Sequence, residues 1–80
     1  MFEDLLASYN TYFRMDVSRT NDRNYYLQFK CIENNMIYEF EISRVDMEIY
    51  SKNKIPKSIQ FMISDLNSSI RDIKINKILE

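Results

Sequence analysis

The sequence feature that most constrains the fold is the stretch YYLQFKCIENNMIYEFEIS, residues 25–43. Apolar and polar residues alternate on both sides of Asn34-Asn35, and a period of two is typical of a β-strand with one buried face. Asn is favoured in two-residue hairpin turns because it tolerates left-handed backbone angles. The pattern therefore predicts an antiparallel β-hairpin that turns at Asn34-Asn35.

A two-residue turn at this position also predicts the register of the hairpin. One face would be apolar, with the pairs Cys31–Tyr38, Phe29–Phe40 and Leu27–Ile42, and the other would hold the pairs Lys30–Glu39 and Gln28–Glu41. Opposite charges that face each other across strands contribute about 0.2–1 kcal/mol. A slip of one residue would move the apolar set to solvent, so this register is strongly favoured over its immediate neighbours. Cys31 is then a small buried hydrophobe.

The segments before the hairpin predict a helix and a further strand. Apolar side chains recur at intervals of three and four at positions 2, 5, 6, 9, 12 and 13, which indicates a helix over residues 2–12. The segment FRMDVSR, residues 13–19, alternates with period two and predicts a strand. The polar run over residues 20–24 predicts a turn built on Asn and Asp.

After the hairpin the pattern leaves two alternatives open. The alternation changes phase after Ser43, which indicates either a β-bulge near Ser43-Arg44 or a short helix capped by Ser43, with Asp46 three residues on. Pro56 suits the first turn of a helix. Apolar residues at helical spacing follow it, at positions 59, 62, 63, 66, 70 and 73. Asn67-Ser68-Ser69 are poor helix formers, so the segment is either one long helix or two short ones.

These elements predict a single α+β domain over residues 1–80. Its order is an N-terminal helix, a three-stranded antiparallel meander and one long or two short C-terminal helices, arranged in two layers. The chain is 45% hydrophobic and contains five Phe and six Tyr, which is too apolar for a disordered segment. A packed core is therefore expected.

Composition also predicts where the protein works. A lone cysteine cannot form an internal disulfide, the first residues are acidic where a signal peptide is basic, and no apolar run reaches about 20 residues. These features predict a cytoplasmic protein with no membrane partner. The absence of glycine and the abundance of Asn, Ile, Lys and Tyr indicate an AT-rich genome, which suggests a phage or bacterial mobile element.

The residue inventory argues against most catalytic and metal chemistry. The sequence contains no histidine, the usual general base near neutral pH, so Ser-His-Asp and Cys-His arrangements are excluded in their ordinary forms. One cysteine cannot supply a zinc site, and phosphate-binding loops need glycine. We therefore predict a protein that is not an enzyme and uses no metal or cofactor.

The predicted binding residues form an acidic strip along and beyond the third strand. Glu39, Glu41, Asp46 and Glu48 would meet a basic protein partner, and Tyr26 would act as an interface anchor. The alternative interpretation is that these charges only protect an edge strand from aggregation.

A second prediction is a nucleic-acid contact at the start of the C-terminal helix, through Lys52, Lys54 and Lys57. Net charge is −1, so no whole-molecule field favours nucleic acid, and a solvated loop is the competing interpretation. A third possibility is a self-assembling structural subunit. The oligomeric state is left open between monomer and homodimer.

The layout of FEDLLASYN, YFRMDVSR and YYLQFKCIENNMIYEFEIS, with the helix that follows, resembles that of small phage-encoded anti-CRISPR proteins. Members of that group inhibit the CRISPR nuclease by occupying its DNA-recognition surface. The resemblance implies an inhibitor of a host nuclease or defence protein, in the host cytoplasm, with the four acids above as the DNA-mimicking surface. The element order is also similar to the double-stranded RNA-binding domain, whose helix-start lysines would correspond to Lys54 and Lys57. The glycine loop and Lys-Lys-x-Ala-Lys run of that domain are missing here.

The leading prediction is therefore a small protein-binding inhibitor or adaptor of phage or mobile-element origin.

Overall fold

The computed structural model describes residues 2–79, with side chains described up to residue 76. Its elements are α1 (Phe2–Ala7), β1 (Phe13–Arg19), β2 (Asn24–Cys31), β3 (Ile37–Ser43), α2 (Arg44–Ile49) and α3 (Lys57–Leu79). The strands pair antiparallel in the order β1-β2-β3. The predicted α+β class, the three-stranded meander and the closing C-terminal helix are confirmed.

The first helix is shorter than the predicted range of residues 2–12. It ends at Ala7, and the chain continues to β1 in tight turns in which Tyr9 N–H donates to Leu6 and Asn10 N–H to Ala7. These three-residue spacings are typical of 3₁₀-type turns. Residues 8, 10 and 11 are Ser, Asn and Thr, which favour turns over helix interiors. The apolar face nevertheless reaches the core, because Tyr9 is buried.

The predicted register of the hairpin is wrong by two residues. Phe29 faces Tyr38 and Leu27 faces Phe40, whereas Lys30 faces Ile37 rather than Glu39. An even shift keeps every side chain on its face, since strand side chains alternate with period two. The apolar face therefore forms as predicted, but the Lys30–Glu39 charge pair does not.

The hairpin loop explains this shift. Cys31 N–H donates to Met36 C=O at 2.8 Å, so the loop comprises residues 32–35 rather than Asn34-Asn35 alone. The Asn34 Oδ1 accepts from Met36 N–H at 3.0 Å, and Asn35 adopts a left-handed φ of 61°. Both Asn residues thus shape the turn, but in a wider loop that local pattern did not reveal.

The two alternatives left open after the hairpin are both resolved. Ser43 caps α2, because its Oγ accepts from Asp46 N–H at 3.1 Å, so this segment is a helix and not a bulge. Helix α3 runs without a break through Asn67-Ser68-Ser69. Asn67 accepts a hydrogen bond from the Tyr9 hydroxyl at 3.2 Å and Ser69 is buried, so tertiary contacts offset their weak helix propensity.

One apolar core joins the helices to one face of the sheet. Its buried members are Phe2, Tyr9, Phe13, Leu27, Phe29, Cys31, Ile42, Ile59, Met62, Leu66 and Ile73. Phe29 lies among edge-to-face aromatic contacts with Tyr9, Phe13 and Phe40, at centroid distances of 6.4, 6.0 and 5.8 Å. The predicted burial of Cys31 is confirmed. The other face of the sheet is left for solvent or a partner.

Candidate functional site

The face of the sheet that points away from the core, here called the outer sheet face, is built from three rows of side chains. The rows are Arg14–Lys30–Ile37, Asp16–Gln28–Glu39 and Ser18–Tyr26–Glu41. Antiparallel sheets often leave one face to water, so a polar face alone carries no function. The order of side chains within the rows is more informative.

Two carboxylates of β3 lie beside a half-buried tyrosine on this face. Tyr26 lies directly opposite Glu41, and its hydroxyl is hydrogen-bonded to Glu39. That hydrogen bond raises the pKa of Tyr26, and partial burial and the charge of Glu39 raise it further. Asn24 Nδ2 donates to the Glu41 Oε1 at 3.0 Å, so both glutamates are held by neighbouring side chains. Asp16 completes the acidic area on β1.

This arrangement suits recognition of a basic protein surface. Carboxylates accept strong hydrogen bonds from Arg and Lys, and Tyr is enriched at energetically important interface positions. Since Glu39 and Glu41 are already positioned by Tyr26 and Asn24, less side-chain freedom is lost when a partner binds.

The four predicted acids do not share one surface. Asp46 Oδ2 accepts from the Ser58 hydroxyl at 2.7 Å, which ties α2 to the first turn of α3. Glu48 accepts from Arg44 Nε at 3.2 Å within α2. The structure thus brings together Tyr26, Glu39 and Glu41, whereas Asp46 and Glu48 lie on α2.

Sequence reasoning missed Asp16 as a member of this area. Asp16 lies across Gln28 from Glu39, in the central row of the outer sheet face. The alternation of FRMDVSR places it on the polar side of β1, but the row in which it lies follows only from strand pairing.

A second concave feature lies on the helix side of the sheet. A cleft of about 380 Å³ opens between α1, α2 and the adjacent ends of β1 and β2. Its lining consists of Phe2, Leu6, Val17, Tyr25 and Met47, with Glu3, Arg44 and Glu48 as the charged members. Glu48 therefore belongs to this cleft and not to the outer sheet face.

The predicted lysines lie together on the connection from α2 to α3. Lys52 and Lys54 belong to a turn closed by reciprocal backbone hydrogen bonds between Ser51 and Lys54, and Lys57 is the first residue of α3. All three are exposed. Their contact with nucleic acid stays a prediction.

Among residues 2–79, no group of three or more His, Cys, Asp and Glu side chains is arranged to hold a metal ion. The helices within those residues lack the combined length and apolar character that a membrane span requires.

The geometry defines a small α+β domain whose outer sheet face carries Asp16, Glu39 and Glu41 near Tyr26, and Arg14 and Lys30 in the next row. No family model, no curated protein and no solved structure matches the chain. The support for a function therefore comes from the chemistry of the outer sheet face.

The Tyr26–Glu39 hydrogen bond yields a direct prediction. Glu39→Gln should lower the pKa of Tyr26 towards the ordinary tyrosine value, because the amide is a weaker acceptor and carries no charge to oppose tyrosinate. An NMR pH titration of Cζ-labelled tyrosine would measure it. Glu48→Gln, on α2, is the matched control and should leave Tyr26 unchanged. An unaltered Tyr26 titration in Glu39→Gln would contradict the hydrogen bond.

Proposed function

We propose that this protein is a small, non-enzymatic protein-binding inhibitor or adaptor that uses its outer sheet face to bind a basic surface of its partner. The observation that carries the proposal is the placement of Tyr26 between two positioned carboxylates, Glu39 and Glu41, with Asp16 in the same area. An aromatic side chain with carboxylates beside it suits a specific, electrostatically guided interface.

The class of partner follows from the charge of the face and from the layout of the chain. Basic protein surfaces that bind nucleic acid attract a field of carboxylates. The resemblance in element order to small anti-CRISPR proteins favours a host nuclease or defence protein, bound stoichiometrically in the host cytoplasm. A phage or mobile-element origin agrees with the AT-rich residue usage.

The test compares two oppositely charged surfaces of the same protein. The tagged wild-type chain is used to capture partners from host lysate, and the captured partner is then titrated against purified variants. Glu39→Lys combined with Glu41→Lys should weaken binding at least about tenfold, equivalent to about 1.4 kcal/mol, because it reverses both charges beside Tyr26.

The matched control reverses the lysine cluster instead. A triple variant, Lys52→Glu, Lys54→Glu and Lys57→Glu, should retain the partner, since these residues lie on the α2–α3 connection. If the triple variant loses binding while the glutamate variant keeps it, or if nucleic acid is retained with a steep salt dependence and no protein is, the nucleic-acid alternative replaces this proposal.

A further inference from the structure

Within the described residues, β1 is an edge strand that pairs with no strand other than β2. Ile32 N–H donates to Tyr12 C=O at 2.9 Å and Thr20 N–H donates to Asn24 C=O at 3.2 Å, so the even-numbered residues of β1 hydrogen-bond to β2. In an antiparallel strand, alternate residues direct these groups to opposite sides. Met15 and Val17 therefore present their N–H and C=O groups to the outside edge. Helices α2 and α3 both contact β3, at the other edge of the sheet, and α3 also reaches Tyr9 and Tyr12 just before β1.

The two edge strands differ in whether their charged side chains would repel or attract the same strand of a second copy. The edge strand β3 carries Glu39 and Glu41 on its outer face, so an antiparallel register centred on Glu39, Phe40 or Glu41 would place carboxylates opposite each other. Like charges at an edge are a common device against association. The edge of β1 carries Arg14 and Asp16, which have opposite signs. Two antiparallel copies of β1 can therefore place opposite charges against each other.

We propose that β1 pairs antiparallel with β1 of a second copy of this chain, about a two-fold axis at Met15, so that the two sheets become continuous. In this register Arg14 of each copy lies opposite Asp16 of the other. Shifting the strands by one hydrogen-bonded step brings either Asp16 opposite Asp16 or Arg14 opposite Arg14. Among these three registers, charge therefore favours the one centred on Met15.

The backbone groups agree with that register. Met15 of one copy would exchange N–H and C=O bonds with Met15 of the other, and Val17 N–H would donate to Phe13 C=O. Phe13 N–H already donates to Tyr9 C=O at 3.0 Å, so its carbonyl is the group left for the partner strand. The ladder would therefore contain four hydrogen bonds, two between the Met15 residues and one from each Val17 N–H, and Val17 C=O would stay outside it.

The side chains on both faces of β1 also favour a neighbour at this edge. On the outer face, Arg14 lies directly opposite Lys30, a like-charge arrangement that an Asp16 carboxylate from a second copy would relieve. On the helix side, Val17 is 45% exposed, so the helical layer leaves space beside it. A second copy of β1 beside it would cover part of this apolar surface.

A charge-swap series tests the pairing on the full-length chain. Sedimentation equilibrium at several concentrations should show a reversible dimer for the wild type. Arg14→Asp and Asp16→Arg should each weaken dimerisation at least about tenfold, because each places like charges opposite one another. The double variant with both substitutions should recover the wild-type dissociation constant to within about threefold, since it restores opposite charges.

Circular dichroism would confirm that each exchanged variant is folded, and the exposed positions of Arg14 and Asp16 favour this. A wild-type chain that sediments as a monomer throughout, or a dimer insensitive to the charge swap, would overturn the proposal. Glu39→Lys combined with Glu41→Lys should leave the dimer intact, because these residues lie on β3. The dimer proposal can therefore be overturned without overturning the proposed partner binding, and the reverse also holds.

Discussion

Replacing Phe29 by Ala is expected to reduce the free energy of unfolding by about 3–5 kcal/mol. The Phe29 side chain is fully buried in the central strand and makes edge-to-face contacts with Tyr9, Phe13 and Phe40. Its removal would forfeit apolar burial, leave a cavity and break all three ring contacts. At about 0.05–0.15 kcal/mol per residue, the 80-residue chain has only about 4–12 kcal/mol in total. A large part of the population should therefore unfold in mild denaturant.

The chain offers a matched control for this change. Phe61 undergoes the same chemical substitution in Phe61→Ala, but its side chain is 70% exposed on α3. That variant should change the free energy of unfolding by no more than about 0.5 kcal/mol. Urea titrations followed by circular dichroism would compare the two variants. Similar transition midpoints for Phe29→Ala and Phe61→Ala would show that the aromatic core described above is wrong.

Replacing Ser68 by Pro is expected to cost about 3 kcal/mol or more, because α3 is a single helix at this position. Proline would remove the helical hydrogen bond of residue 68 and bring its ring against the preceding turn. Ser68 is exposed, so the loss would report on the backbone rather than on side-chain packing. Thermal or urea unfolding followed by circular dichroism would measure the effect.

The same position supplies the control. Ser68→Ala keeps the N–H group and should be neutral or stabilising by about 0.5 kcal/mol or less, since Ala has the highest helix propensity. If both variants are equally stable, residues 67–69 separate two short helices and the continuous α3 is wrong. A large loss of stability in Ser68→Pro but not in Ser68→Ala would show that residue 68 lies inside a helix.

Hydrophobic periodicity was sufficient to predict the three strands, the C-terminal helix and their buried faces, whereas α1 is shorter than predicted and α2 was one of two alternatives. Leu27, Phe29 and Ile42 are buried as the alternation indicates, and Ile59, Met62 and Leu66 line the inner side of α3 at helical spacing. Which face a side chain lies on is local information, because side-chain direction repeats with a fixed period within each strand or helix. The face that would carry Tyr26, Glu39 and Glu41 was therefore also predictable.

Which side chains meet across strands depended on the tertiary structure. An even shift of the hairpin preserves every face, so alternation cannot distinguish the predicted Lys30–Glu39 pair from the observed Lys30–Ile37 pair. The wider loop over residues 32–35 decided between them. The same pairing places Asp16 in the row of Glu39, a relationship between three strands that no single segment contains.

The ends of the helices and the continuity of α3 also depended on the tertiary structure. Ser43 either caps a helix or continues a strand with nearly equal local preference, and its hydrogen bond to Asp46 N–H is supported by the Asp46–Ser58 contact with α3. Asn67 and Ser69 are weak helix formers that remain helical because α3 packs against the core. Sequence alone determined periodicity and composition, because these are properties of neighbouring residues. Register, helix ends and the position of β1 at a sheet edge depend on contacts between distant segments, which no local pattern contains.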